Sequence, residues 1–293
     1  MREKDTLHRF LLDGSNVRGE LVQLDDSWQT LLERADYPPN LKCLLGEAVA
    51  AAALMAATVK MAGGTLTLQV SGGDGPVSLL VVQAKAGGGL RGVAKWRDEV
   101  PLEPLAKIFG NKAQMVITID PGEGGEEYQG VVELEGRTLA DALQLYFERS
   151  EQLPTRLWLV AGEECVAGLL LQRLPSDSGL DEEEDWQRAV HLAATVKPEE
   201  LLYLPADEVV YRLFHEEEVR FFDAEPMAFE CSCSQQRSEN MLRSLGLDEL
   251  RQMLLQEPEV AITCEFCSAR YSFDVVDVEA LFSDVAHGSQ SQH

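Results

Sequence analysis

Cys231-Ser232-Cys233-Ser234 and Cys264-Glu265-Phe266-Cys267 are the two stretches from which the organisation of this chain is read. Each places two sulfurs on one tight loop, and the 30 residues between Cys233 and Cys264 are enough for both loops to face one point. Four convergent thiolates match a tetrahedral zinc site, with each sulfur about 2.3 Å from the metal. A site filled by four protein ligands leaves no position for a substrate water, so its role is structural or regulatory rather than hydrolytic. The first pair is C-x-C rather than the commoner C-x2-C, which holds its sulfurs close, and loss of metal would leave each pair positioned for a local disulfide. Zinc is the favoured reading, with a thioredoxin-like redox pair and a disulfide frame still open.

The rest of the chain sets the context. With 293 residues and a 45% hydrophobic composition it can bury a large core and carry one or two smaller units. Six cysteines are far too few for a small secreted scaffold, and Met1-Arg2-Glu3-Lys4-Asp5 leads into no apolar signal core, so a cytosolic chain with reduced thiols is expected. The longest apolar run, Ala48 to Val59, is 12 residues, short of the roughly 20 needed to span a bilayer. A net charge of −25 opposes binding to a polyphosphate, which excludes a DNA-binding zinc finger and makes an RNA-binding zinc module hard to support.

Residues 1–175 read as an α+β domain with an antiparallel sheet and a long helix. Leu7 to Leu11 and Val17 to Leu24 read as strands around the turn Gly14-Ser15-Asn16. A short helix from Ser27 to Ala35 precedes Pro38-Pro39, where a long helix begins, with Leu41, Leu44, Leu45, Ala48, Ala52 and Met55 at helical spacing and Gly63 at its close. Period-two alternation then marks strands at Leu66–Val70, Val77–Val82, Leu90–Trp96 and Met115–Ile119, expected as an antiparallel meander. Gly87 to Gly92 formally matches G-x-G-x-x-G, but strand follows where a dinucleotide site needs a helix, so a hairpin is expected. An amphipathic helix from Thr138 to Ser150 and strands at Arg156–Val160 and Val166–Arg173 complete the domain. No nucleophile, histidine and carboxylate set emerges: His8 reads as a strand residue, and Ser150 lacks a nucleophile-elbow context.

From residue 176 to 230 the chain carries 16 acidic and 4 basic residues. Turn residues and the run Asp181-Glu182-Glu183-Glu184-Asp185 precede short helical patterns at Trp186–Val196, Glu199–Leu202 and Ala206–His215. Such helices depend on docking, and Val190, Leu202, Val209, Leu213 and Phe214 are expected to face the N-terminal sheet, making this an acidic, metastable helical linker. Residues 231–285 form the cysteine module, with helices at Glu239–Leu245 and Asp248–Leu255 and a hairpin from Ile262-Thr263 to Tyr271-Ser272-Phe273. Residues 286–293 read as a disordered tail in which His287 and His293 bind metal only adventitiously.

Val17-Arg18-Gly19-Glu20-Leu21, Tyr128-Gln129-Gly130-Val131-Val132, Arg149-Ser150-Glu151-Gln152-Leu153-Pro154-Thr155-Arg156 and Leu213-Phe214-His215-Glu216-Glu217-Glu218, together with the paired cysteines, resemble the heat-shock protein 33 family of redox-regulated chaperones. The resemblance implies a cytoplasmic, ATP-independent holdase and not an enzyme. It implies that Cys231, Cys233, Cys264 and Cys267 hold one Zn2+ in an inactive reduced form. It further implies that oxidation of neighbouring cysteines to disulfides releases the metal, unfolds module and linker, and yields a homodimer that binds unfolding client proteins, with no nucleic acid or membrane partner. Cys43 and Cys165 lie outside the family pattern and receive no role. The alternative function, a thiol oxidoreductase using Cys264 and Cys267, requires a strand-to-helix setting where a hairpin is expected.

Overall fold

The computed structural model describes residues 3–59, 63–102, 104–122, 124–175 and 182–287. The turn-rich linker start at residues 176–181 and the tail from Gly288, including His293, lie outside the described residues. The chain divides into two compact units, Met1–Glu230 and Cys231–His293.

In the first unit, β1 (Thr6–Leu12) and β2 (Val17–Leu24) form a hairpin whose turn uses Asn16 at φ 49° and Gly14 at φ 90°. Helix α1 (Asp26–Leu32) takes its N-terminal cap from a distance: the Asp5 carboxylate accepts from the backbone N–H groups of Asp25, Asp26 and Ser27 at 3.0–3.1 Å. Helix α2 (Pro39–Thr58) starts on a proline, as a first turn permits. It packs on both sides, against β2 and the two strands that follow it in the same sheet, and against three strands of a second sheet. Its alanine run Ala50–Ala53 is therefore buried throughout, at no more than 1% exposure. By length and composition α2 equals a membrane span, longer than the 12-residue run picked out above, with a mean hydropathy of 1.5, but 67% of its 18-residue apolar window is buried as the central helix of the core.

The second sheet comprises β3 (Gly63–Ser71), β4 (Val77–Lys85), β5 (Gly89–Trp96), β6 (Gln114–Gly122) and β7 (Tyr128–Glu133), in the order β5-β4-β3-β6-β7. The expected meander is therefore wrong at one connection. After β5 the chain recrosses the sheet through the short helix α3 (Leu105–Phe109) and lays β6 beside β3. Leu66, Leu68 and Val70 of β3 are fully buried in the core that α2 shares with this sheet. The glycine run forms the β4–β5 hairpin, with Gly87 and Gly88 at φ 95° and 91°.

Helix α4 (Leu139–Tyr146) begins with a Thr138/Asp141 capping box and continues as a π turn over Phe147–Glu151, which contains Ser150. Strands β8 (Thr155–Ala161) and β9 (Val166–Arg173) then complete the first sheet, β1-β2-β9-β8. Its outer face carries a second core. Helices α5 (Glu182–Ala193), α6 (Pro198–Tyr203) and α7 (Ala206–Phe214) lie over Phe10, Leu12, Val17, Leu21, Leu169 and Leu171. Leu202, Val209, Leu213 and Phe214 are buried there and Val190 is half-buried, as the spacing predicts. The sheet they cover is the one built by β1, β2 and β9, not the Gly63–Glu133 sheet.

The end of the acidic segment is not helical. β10 (Val219–Phe221) and β11 (Glu225–Pro226) add to the edge of β1, and β12 (Ala228–Phe229) runs parallel to β5. Two open sheet edges decide this, since their unpaired backbone groups bind an extended segment that has no helical pattern of its own.

The second unit contains α8 (Gln235–Leu245), α9 (Leu247–Leu254), the hairpin β13 (Val260–Thr263) and β14 (Arg270–Phe273), and α10 (Val275–His287). Its core is Leu242, Leu250, Val260, Phe273, Val278 and Leu281. Ala286 and His287, expected in the tail, instead close α10.

Candidate metal centre

Two local structures bring the motif cysteines together. Cys231 and Cys233 lie on an extended run just before α8, whose first turn is capped by Ser234 Oγ accepting from the Arg237 N–H at 3.2 Å. Arg237 in turn donates to the Ser232 carbonyl at 2.8 Å and to Ser232 Oγ at 2.6 Å, clamping the residue between the two sulfurs. Cys264 and Cys267 occupy the turn between β13 and β14. There the Ser268 N–H donates to the Cys264 carbonyl at 2.8 Å and the Cys264 N–H to the Ala269 carbonyl at 2.9 Å, with Ser268 in the left-handed region at φ 59°. The hairpin fixes the turn, and the turn fixes the sulfurs.

All four sulfurs lie within 4.8 Å of one another. The closest approaches described run across the two loops: Cys231 Sγ to Cys264 Sγ is 3.6 Å and Cys233 Sγ to Cys267 Sγ is 3.3 Å. Four sulfurs at 2.3 Å from a tetrahedral ion would stand about 3.8 Å apart, so the first of these separations is close to that figure and the second is shorter. The described geometry can hold one soft metal ion, and zinc is compatible with it. Tyr271 Oη, which the sequence patterns do not single out, donates to Cys233 Sγ at 3.2 Å from β14. A period-two reading of the hairpin could have found it, because Tyr271 shares a strand with Phe273 two residues on.

Without a cation, Cys264 and Cys267 resist ionisation. Burial, with the sulfurs of Cys233, Cys231 and Cys264 adding to it, pushes the Cys267 thiol up to about 12. Burial likewise raises Cys264. Four thiolates this close repel, and a divalent cation is the compensation that lets them coexist.

Among the described residues, which include all six cysteines, no disulfide is formed. Cys43 is half-buried on α2, and Cys165 is 1% exposed before β9 with Sγ 3.7 Å from the Leu202 carbonyl; neither joins the tetrad. The Cys264–Cys267 pair sits in a β-hairpin turn rather than at the start of a helix after a strand, so the thioredoxin-like setting is not met. His8 is a buried residue of β1 stacked on Phe221 with ring centroids 5.0 Å apart.

Comparison with known proteins agrees over nearly the whole chain. The family described as Hsp33 protein matches residues 5–274. A "33 kDa chaperonin" from Nitrosococcus oceani is 47% identical over 284 residues, covering 97% of this chain and 96% of that protein. Another from Shewanella denitrificans is 47% identical with 99% of each chain covered, and one from Methylobacillus flagellatus is 44% identical over the full length of both. The crystal structure of a 33 kDa chaperonin (heat shock protein 33 homolog) from Thermotoga maritima has the same fold, with a TM-score of 0.79 over 97% of this chain and 99% of that one at 20% identity. With the four-cysteine cluster in place and the family pattern running through both units, the chain belongs to the Hsp33 protein family.

Proposed function

We propose that this protein is a redox-regulated, ATP-independent holdase of the cytoplasm that captures unfolding proteins under oxidative stress. The observation that carries the reading is the convergence of four cysteine sulfurs within 4.8 Å in a unit whose core is six buried apolar residues. A core of that size supplies little stability, whereas structural zinc in comparable small units is worth roughly 10 to 16 kcal/mol of apparent binding energy. In the reduced state Cys231, Cys233, Cys264 and Cys267 would hold one Zn2+, which keeps the sulfurs as thiolates and the unit folded. Each disulfide formed between neighbouring cysteines passes two electrons to an oxidant; with hydrogen peroxide, two thiolates and two protons give the disulfide and two waters. The unit then loses both its ligands and its metal, and unfolds.

The second half of the reading concerns α5, α6 and α7. They are short, strongly acidic and held by the apolar face of β1, β2 and β9, so their undocking would free Phe10, Leu12, Val17, Leu21, Leu169 and Leu171 for clients and for a homodimer of the oxidised form. The name chaperonin carried by the relatives supports a client-binding role. The test is suppression of aggregation of an unfolding protein, before and after peroxide, with zinc release followed in parallel. Activity that rises as zinc leaves supports the proposal. Equal activity in both states overturns the switch, and turnover in a disulfide-reductase assay would favour the oxidoreductase instead.

A further inference from the structure

Tyr271 stands opposite Ile262 in the β13–β14 register, and Phe273, two residues on, is 2% exposed in the core of the second unit. Arg270 and Ser272, which alternate with it, both engage Glu259. Strand alternation therefore puts Tyr271 on the core side. It is half-buried, packed against the small apolar cluster, with its hydroxyl 3.2 Å from Cys233 Sγ. Cys233 Sγ is in turn 3.3 Å from Cys267 Sγ, so the phenol reaches the tetrad where its two loops meet.

The donors inside the C-x-x-C turn are of a different kind. Backbone N–H groups of Phe266 and Cys267 hydrogen-bond to the Cys264 sulfur, and that of Ala269 to the Cys267 sulfur, each favouring the charged form. These belong to the turn itself, and no side-chain substitution removes them. The hydroxyl of Tyr271 is supplied by one side chain from outside both cysteine loops. A metal-bound cysteine is a thiolate with no proton to give, so between Tyr271 and Cys233 the phenol donates. Such a bond withdraws charge from the lone pair that attacks an oxidant, and groups that contact a ligand rather than the metal orient and tune that ligand.

We propose that Tyr271 is a positioning residue of this metal centre: its O–H holds Cys233 in place and lowers the reactivity of that sulfur, setting how readily an oxidant trips the switch. The proposal rests on the metal-centre reading above. The step restrained is attack of the Cys233 thiolate on hydrogen peroxide, in which the S–O bond forms, the O–O bond breaks, sulfur gives up two electrons and hydroxide leaves. The Cys231 thiolate then displaces a second hydroxide from the sulfenic sulfur and closes the disulfide. A hydrogen bond to a charged acceptor changes an equilibrium constant by roughly ten- to hundredfold. Somewhat under half of a thiolate's stabilisation, as an exponent, carries into its attack rate, so loss of this bond should speed the step about three- to tenfold.

The experiment compares the full-length parent with Tyr271→Phe, which keeps the ring and removes the hydroxyl, and with Phe273→Leu, which loosens the same core without touching a sulfur. Zinc-loaded proteins are mixed with excess hydrogen peroxide, zinc release is followed with a chromophoric chelator, and release without peroxide is subtracted. The second-order rate constant should be about three- to tenfold higher in Tyr271→Phe and within about twofold of the parent in Phe273→Leu. With Co2+ in place of zinc, the sulfur-to-metal charge-transfer band of Tyr271→Phe should move to longer wavelength, because the released lone pair lies higher in energy. Under limiting iodoacetamide, the share of label on Cys233 should rise in the same variant. An unshifted band, an unchanged peroxide rate, or equal acceleration in Phe273→Leu would overturn the proposal while leaving the metal centre standing. A parent that binds neither ion would overturn the metal centre and this proposal with it. Should Tyr271→Phe fail to fold, the zinc-loaded parent still decides: a Tyr271 hydroxyl proton protected from solvent exchange by NMR supports the bond, and fast exchange overturns it.

Discussion

Cys264 is held by two backbone hydrogen bonds inside the β13–β14 turn, so replacing its sulfur by oxygen removes a metal ligand while leaving the turn its backbone partners. Cys264→Ser is expected to lower zinc content well below one per chain, and to raise apolar-dye binding and aggregation suppression under reducing conditions. Cys165→Ser, buried against the Leu202 carbonyl in a different core, should leave zinc content unchanged. A Cys264→Ser protein that keeps one zinc and stays inactive until oxidised would show that the tetrad is not the switch. Glu20 gives a prediction of opposite character. Burial raises the folded-state pKa of its carboxyl to about 7, above the ordinary 4.5, so the folded chain holds the proton more tightly than the unfolded one. Stability contributed by the protonated carboxyl is therefore present at low pH, declines as pH rises from about 4.5 to about 7 and is flat beyond, a span of about 3 kcal/mol. Glu20→Gln should flatten that decline, raising the denaturant midpoint at pH 8 relative to the parent far more than at pH 5. The four cysteines were legible because their spacing alone restricts the chemistry. Glu20 was not, because a carboxylate on an alternating strand looks solvent-facing until α2 and β1 enclose it.

Helices α5, α6 and α7 are held chiefly by what they cover. Phe214 is 1% exposed and tilts against Phe10 of β1 with ring centroids 5.7 Å apart. Phe214→Ala is expected to cost about 3–5 kcal/mol, enough to undock α7 in part. Apolar-dye binding should then rise in the reduced protein with zinc content unchanged, and unaltered dye binding would argue against a marginal linker. Amide hydrogen exchange provides an independent check: protection in α5–α7 should be lower than in β3, β4 and β6, and equal protection would count against easy undocking. The surface ion pairs of these helices, such as Arg188 with Glu217 and Arg212 with Glu208, add little, since exposed pairs are worth about 0–1 kcal/mol. Periodicity located most of these elements within a few residues. It failed for β10, β11 and β12 because two- and three-residue strands have no period to detect. It also missed α10, whose apolar side becomes an inward face only against Leu242, Leu250 and Phe273.

For the whole molecule, metal removal is the discriminating perturbation. Chelation under reducing conditions should collapse the dispersed NMR resonances of Leu242, Phe273 and Leu281 in the second unit, while those of Leu66, Leu68 and Val70 in β3 persist. The reason is size: the first unit buries two apolar clusters around its two sheets, whereas the second has one small cluster and its cysteines. Simultaneous loss of both sets would refute metal dependence confined to the second unit. The sequence by itself determined the four-cysteine chemistry, the strand and helix periods, the glycine hairpin and the inward set of the acidic helices, since each depends on neighbours along the chain or on the period of one element. Only the tertiary structure decided that two sheets enclose α2, that β3 lies at the centre of its sheet, that residues 219–229 extend along two sheet edges, and that Glu20 is sealed with one oxygen unpaired. These follow from which surfaces meet across long separations in sequence, where burial and backbone hydrogen bonding are settled by partners that no local pattern specifies.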